Sequence, residues 1–200
     1  VKTRRYNQLE VKVNRSDVRV RYRSGFFGIS EDQPRRNNLN PLHTILTALT
    51  SPFGSDEIPL KLNAMFVAET RNEMFLRSYL HVSADELTFT PEPDGGYTTM
   101  FDIVVMSFGD NGIPVDELSK THTLRLEADA YRRMLTKGFV YHFTFPIKKA
   151  GAYQMRVALR DSKANKVGSA NQFVEVPDLK KGRLTLSGIV FESMPAAQWD

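Results

Sequence analysis

The sequence predicts an all-β protein, folded as an antiparallel sandwich with two short helices and a basic hairpin at its start. Short segments of alternating apolar and polar residues recur from residue 57 onward, with turn residues between them. Only two stretches carry helical periodicity, whereas a parallel sheet would need a crossover helix between each strand pair. The alternation is clearest over residues 138–176. Phe139, Tyr141, Phe143 and Phe145 share one face, residues 146–151 bring Pro146 and Gly151 into a turn, and Tyr153, Met155, Val157 and Leu159 alternate again. These residues predict a core hairpin followed by a third strand.

The 200 residues are enough for one sizeable domain plus an appendage, burying about 70% of the unfolded surface. The chain has no cysteine, which excludes disulfides, thiolate metal sites and cysteine nucleophiles. It has no run of about 18 apolar residues, so this stretch is not expected to insert into a membrane.

Residues 1–28 read as a basic β-hairpin. Lys2, Arg4, Arg5, Lys12, Arg15, Arg19, Arg21 and Arg23 face only Glu10 and Asp17 there, while the whole chain carries a net charge of +4. Leu9, Val11 and Val13 alternate with Glu10 and Lys12, residues 14–17 turn, and Val18, Val20 and Tyr22 alternate with arginines. Such a face could meet nucleic acid. It lacks the interleaved exposed aromatics used for single strands, and a charged outer face that discourages edge pairing explains it more simply. No nucleic-acid partner is assigned.

Residues 29–56 read as a polar linker and a short helix. Asn40 is the N-cap, Pro41 sits in the first turn where its missing N–H costs nothing, and Pro52 ends the helix. Leu42, Ile45, Leu46 and Leu49 form one apolar stripe. Three turns do not hold alone, so the helix must cover the sandwich or its junction with the hairpin.

Residues 57–192 carry the sandwich. Leu60, Leu62, Ala64, Phe66 and Ala68 mark the first strand, and Met74, Leu76, Leu80 and Val82 the second. A short strand over 87–90 stops at PEPDGG, whose prolines and glycines cannot continue a ladder. Residues 97–108 form a long strand, 109–114 a turn or loop, and His122, Leu124 and Leu126 another strand. A helical insert follows, with Asp129 as N-cap, Tyr131, Met134 and Leu135 on its apolar side and Gly138 at its end. After the three strands of 138–176, Pro177 and Asp178 stop the ladder, 184–191 reads as a last strand and 193–200 as a tail. Gly151, Tyr153 and Met155 resemble the G-x-Y-x-C start of the sixth strand of immunoglobulin-like domains. Met155 replaces the cysteine, Lys149 stands where an Asp is usual, and the single tryptophan is Trp199. This excludes an antibody-type domain and leaves an immunoglobulin-like or fibronectin type III-like sandwich.

No catalytic, cofactor-binding or metal-ligating residue is assigned, and no cofactor is expected. His43, His81, His122 and His142 are too far apart in sequence for a local metal motif, and no calcium-loop pattern appears. Asp161 and Asn165, or Asp94 and Asp110, could offer oxygens to calcium; loop acids in a sandwich are more commonly turn formers. There is no G-x-S-x-G, and Ser187 and Gly188 lie inside a strand pattern. Asp85 with Glu86, or Glu92 with Asp94, could pair as acid and base, but adjacent loop acids are usually just solvated. The aromatic run 139–145 would be a sugar platform if exposed, yet its alternation assigns it to the core.

QLEVKVNRSDVRVRYRSGFFG resembles the closing hairpin of the von Willebrand factor A-like domain in the VWFA-related proteins of Acidobacteria. PLHTILTALTSPF, IPLKLNAMFV, AGAYQMRVALRD, GSANQFVEVPDL and LTLSGIVF resemble the segment that follows it in those proteins. The resemblance implies a parent longer at both ends and exported, hence secreted, periplasmic or at the cell surface. It places any metal-dependent adhesion site outside this chain. The role it implies is a non-catalytic structural or protein-interaction module whose partners are proteins or neighbouring domains of the same parent. The alternative is a carbohydrate-binding module, for which the sequence offers 13 Phe and 7 Tyr with loop acids.

Overall fold

A computed structural model describes residues 6–15, 25–27, 40–51, 53–70 and 73–189. The chain divides into two compact units, residues 1–39 and 40–200. In the first, β1 (Tyr6–Gln8) pairs antiparallel with β2 (Gly25–Phe27), Tyr6 opposite Phe27. A hairpin is present, but residues 9–13 are not a strand, and Leu9, Val11 and Val13 are 43–45% exposed. A two-stranded hairpin is marginally stable by itself, so alternation alone does not make a ladder. The strand expected over 18–23 and the linker over 29–39 lie outside the described residues.

The second unit opens with α1 (Pro41–Thr50), where Asn40 Oδ1 accepts the Leu42 N–H at 3.1 Å as the N-cap. Eight strands follow: β3 (Leu60–Ala68), β4 (Met74–Val82), β5 (Thr90–Pro91), β6 (Tyr97–Phe108), β7 (Pro114–Leu126), β8 (Phe139–Ile147), β9 (Gly151–Asp161) and β10 (Val167–Val176). One sheet has the order β3-β4-β8. The other runs β10-β9-β6-β7, with β5 paired to Tyr97 and Thr98 at one end of β6. All pairings are antiparallel, and the two sheets enclose one core. Leu80, Val82, Ile103, Val105, Met155 and Val157 have no exposed surface there. This is an all-β, immunoglobulin-like or fibronectin type III-like sandwich.

The aromatic stripe of β8 faces inward, with Phe143 and Phe145 buried and Phe139 and Tyr141 packed at the core margin. However, β8 and β9 do not form a hairpin. β8 pairs with β4, while β9 pairs with β6 and β10, so residues 148–150 carry the chain from one sheet to the other. Alternation reports which residues face inward and is silent on which sheet they belong to. Pro146 lies within β8, not in the turn. The Glu69 N–H to Glu73 C=O bond puts the odd-numbered residues of β4 toward β3, leaving the even ones for β8. Pro146 therefore points its missing donor at the free edge, where a proline is tolerated.

Three other elements depart from expectation. Residues 87–90 are not a full strand: a 3₁₀ turn (Ala84–Glu86) precedes the two-residue β5. β7 begins at Pro114, well before the expected His122; its polar run hides an edge strand exposed along most of its length, recruited by the ladder with β6. Residues 184–189 are not a strand, and Leu184, Leu186 and Ile189 are 93%, 79% and 72% exposed; 190–191 lie outside the described residues. The second helix, α2 (Ala128–Lys137), ends at Gly138 as expected, with φ 67°, but its N-cap is Glu127, not Asp129.

Along the other side the two sheets close on each other. The Gln172 side-chain amide donates to the Ala64 carbonyl at 2.9 Å and accepts the Ala64 N–H at 2.7 Å, so a β10 side chain stands in for a strand at the edge of β3. Ser55 and Ser169 exchange backbone and hydroxyl bonds nearby, and Gly168 packs where a Cβ would lie 2.0 Å from the Ile58 carbonyl oxygen. α1 rests on the sandwich, burying Ile45 and Leu49 against Val104 and Ala158.

Two buried polar arrangements brace the frame. Tyr153 is 8% exposed and donates its hydroxyl to the Lys149 carbonyl at 2.8 Å, pinning the crossing between sheets. Arg160 pairs with Asp102 and donates to Asn165 Oδ1 at 3.0 Å, while Thr121 donates to Asp102 at 2.6 Å, which ties β9, β6 and β7 together. Tyr153→Ala is expected to cost about 3–5 kcal/mol in urea unfolding, and Tyr153→Phe about 1 kcal/mol. Equal losses in the two variants would show that the hydroxyl, not the ring, carries the contribution. Asp102→Ala leaves the Arg160 guanidinium in a largely buried site without its carboxylate, and about 3–5 kcal/mol of destabilisation is expected.

Candidate functional site

The residues weighed for chemistry serve the framework. Asp161 is fully buried, and its carboxylate accepts the N–H groups of Thr88, Lys163 and Ala164, so it organises the β9–β10 turn and the approach to β5. Asn165 holds a left-handed conformation, φ 58°, in the same turn. Asp94 pairs with Arg125, and the Gly96 N–H, followed by the Arg125 charge, holds its carboxyl below the usual carboxylate range. Glu86 accepts from Lys166 at 2.6 Å. Asp85 and Glu92 flank these turns, on the 3₁₀ segment and after β5.

The histidines are dispersed. His43 is exposed on α1. His81 Nε2 donates to the Lys137 carbonyl at 2.8 Å, closing α2 onto β4. His122 on β7 and Tyr141 on β8 share a hydrogen bond of 3.1 Å across the two sheets, and His142 meets the Tyr79 ring edge-on at 4.8 Å between centroids. Among the described residues, no three His, Asp or Glu side chains converge to hold a metal ion, and no helix is long and apolar enough to cross a membrane. Ser187 and Gly188 lie in the segment after β10, not in a strand.

What the strands do bring together is a surface. Phe108 on β6 and Phe173 on β10 are both cross-strand partners of Gln154 on β9, so the three share one row on the outer face of the sheet. With two strand spacings between them, the backbones of Phe108 and Phe173 stand about 9–10 Å apart. Phe173 is 71% exposed. The next row places Arg156 between Met106 and Asn171. Its guanidinium carbon lies 5.0 Å from the centroid of the Phe108 ring, Nη2 donates to Gln154 Oε1 at 2.8 Å, and Nη1 donates to the Leu49 carbonyl at 3.0 Å. The cation thus sits on an aromatic face and at the carbonyl end of α1, both of which favour positive charge. Gln154 and Arg156 lie between the inward-facing Tyr153, Met155 and Val157 and so face outward; placing Phe108 and Phe173 in one row needs the strand order, which sequence does not display.

The same end of the sandwich holds a cleft of about 450 Å3 between the β6–β7 turn and the sheet crossing. Asp110 and Asp116 line one wall, Lys148 and Lys149 the other, and Tyr153 lies at its base. Ile113 on the β6–β7 turn and Val115 at the start of β7, the latter lining the cleft, are 58% and 56% exposed. Phe108 leads directly into one wall and Gln154 follows directly from the other, so the row and the cleft are continuous along the chain.

No protein-family model and no curated protein matches the chain. Among solved structures it is similar to Bacteroides uniformis beta-glucuronidase, with TM-score 0.37, 16% identity, and 61% of this chain and 13% of that chain covered. A calcium-binding mutant of Bacteroides uniformis beta-glucuronidase 2 gives TM-score 0.36 at 15% identity over the same shares. The chain spans 13% of the length of these enzymes, and nothing of their activity transfers to it.

Replacing Arg156 with methionine keeps the aliphatic stem and removes three contacts at once. Amide exchange in residues 45–50 is expected to accelerate at least severalfold, with a global loss of about 1–3 kcal/mol. Unchanged exchange in α1 would show that Ile45 and Leu49 alone hold the helix down.

Proposed function

We propose that this chain is a non-catalytic, protein-binding β-sandwich module of an exported bacterial VWFA-related protein, and that its binding side is the Phe108–Arg156–Phe173 surface with the adjoining cleft. The observation that carries this reading is an exposed Phe173 in one row with an arginine-capped Phe108. Aromatic and arginine side chains dominate the energetics of protein interfaces. Arg156 is already fixed by Gln154 and Leu49, so little of its side-chain freedom is left to lose on binding. The mixed charges of the cleft would set the register of a partner. The resemblance supplies the class of partner, the neighbouring domains of the same parent.

A carbohydrate-binding reading has one observation in its favour: two rings about two strand spacings apart on one face, with the Gln154 amide and the Arg156 guanidinium between them. The β8 aromatics do not contribute, since they face the core.

Titration calorimetry of the chain against separately expressed flanking domains of its parent tests the first reading. Saturable binding is expected, weakened about tenfold or more by Phe173→Ser. A glycan array bound saturably by the wild type and not by Phe173→Ser would transfer the surface to sugar. Reproducible turnover of any substrate in a hydrolase panel would overturn the non-catalytic reading.

A further inference from the structure

The hairpin turns at the two ends of β6 are built alike. In the β5–β6 turn, residues 92–96, the Glu92 N–H donates to the Gly96 carbonyl at 2.8 Å and the Gly95 N–H to the Glu92 carbonyl at 3.0 Å. In the β6–β7 turn, residues 109–113, the Gly109 N–H donates to the Ile113 carbonyl at 3.0 Å and the Gly112 N–H to the Gly109 carbonyl at 2.9 Å. Each turn reaches a glycine of positive φ at the same place, 84° at Gly95 and 74° at Gly112. Just before that glycine, a side-chain oxygen accepts an N–H from the residue after it: Asp94 Oδ1 from Gly96 and Asn111 Oδ1 from Ile113, both at 3.1 Å.

One geometry thus holds two different groups. The Gly96 N–H and the Arg125 charge keep the Asp94 carboxyl below the usual carboxylate range, so it is ionised and a poor electrophile. Asn111 is an exposed, uncharged amide, and no other asparagine of the chain is followed by glycine. Around Gly112 a Cβ would meet nothing within 4 Å, so its backbone nitrogen is sterically open. The Ile113 N–H sits on Oδ1, where negative charge develops if a nucleophile adds to Cγ. Before such an attack the bond from the Gly112 N–H to Gly109 has to open, and in an exposed turn that opening costs little.

We infer that Asn111 is a site of spontaneous covalent modification, at which attack by the Gly112 nitrogen converts the amide into aspartate or isoaspartate. The Gly112 nitrogen gives its proton to hydroxide and bonds to Asn111 Cγ. The bond from Cγ to Nδ2 then breaks, and that nitrogen takes a proton from water and leaves as ammonia, closing a succinimide ring. Water opens the ring at either carbonyl, so water is consumed, ammonia is released and nothing is oxidised or reduced. Asn111 lines the cleft with Asp110 and Asp116, across from Lys148 and Lys149, and either product adds a carboxylate to that acidic wall. Aspartate fits the turn, as Asp94 does in its counterpart. Isoaspartate lengthens the backbone by a methylene and breaks the register of Gly109 with Ile113.

Peptide mapping of the full chain after incubation at mildly alkaline pH, with isoaspartyl methylation as a second readout, tests this. Residue 111 is expected to convert at least about tenfold faster than Asp94 or any other asparagine. Asp94→Asn places the reactive amide in the matching turn, and position 94 should then convert at least about tenfold faster than in the wild type. Conversion at residue 111 in the urea-unfolded chain but not in the native one overturns the inference. So does an amide at position 94 that stays intact in Asp94→Asn.

Discussion

The crossing from β8 to β9 is the constraint on which the architecture rests. Three residues take the chain from one sheet to the other, and the Tyr153 hydroxyl bonded to Lys149 fixes that passage. Were the crossing a hairpin, β9 would pair with β8, and β6 and β10 would lose the strand between them. The enclosed core, the support for α1 and the outer rows of side chains all follow from β9 lying in the centre of the second sheet. Tyr153 contributes twice, since its ring fills the core end while its one polar atom bonds a backbone carbonyl of the passage.

Polar side chains complete this fold where backbone ladders stop. Asp161 gathers three N–H groups that no strand could reach, the Asp102–Arg160 pair joins neighbouring strands of the second sheet, and His122 with Tyr141 links the sheets on the side away from β3. Each has an ionisable or polar group that, seen as sequence, could have belonged to a reactive site. In the folded chain each bonds to neighbouring groups, so they hold turns and sheets in place. The surface left for a partner is made of Phe173, Phe108 and the groups around Arg156, none of which stands out in the sequence.

The sequence disclosed the fold where burial is one-sided. β3, β4, β6, β8, β9 and β10 alternate because one face meets the core, and alternation is what a reader of sequence can see. It was silent where burial is weak. Most of β7 lies at an edge with little apolar content, so its first eight residues look like loop. The opposite error arose at 184–189, where a strand pattern reaches the edge of β3 through the bond from the Gly188 N–H to the Phe66 carbonyl and forms no ladder there. The surface was the least legible feature. Placing Phe108 and Phe173 in one row requires knowing that β9 separates β6 from β10, a fact of topology that no local pattern contains.

The bond between Gln172 and Ala64 bears on how such a sandwich can diverge. A single amide there substitutes for a whole neighbouring strand at one point of the edge, holding both a donor and an acceptor of β3. Losing it by one codon change would free those two groups without touching a core residue. The strand number of this sheet is thus separable from its interior, and descendants of the chain can add or shed an edge strand while inheriting the same hydrophobic centre.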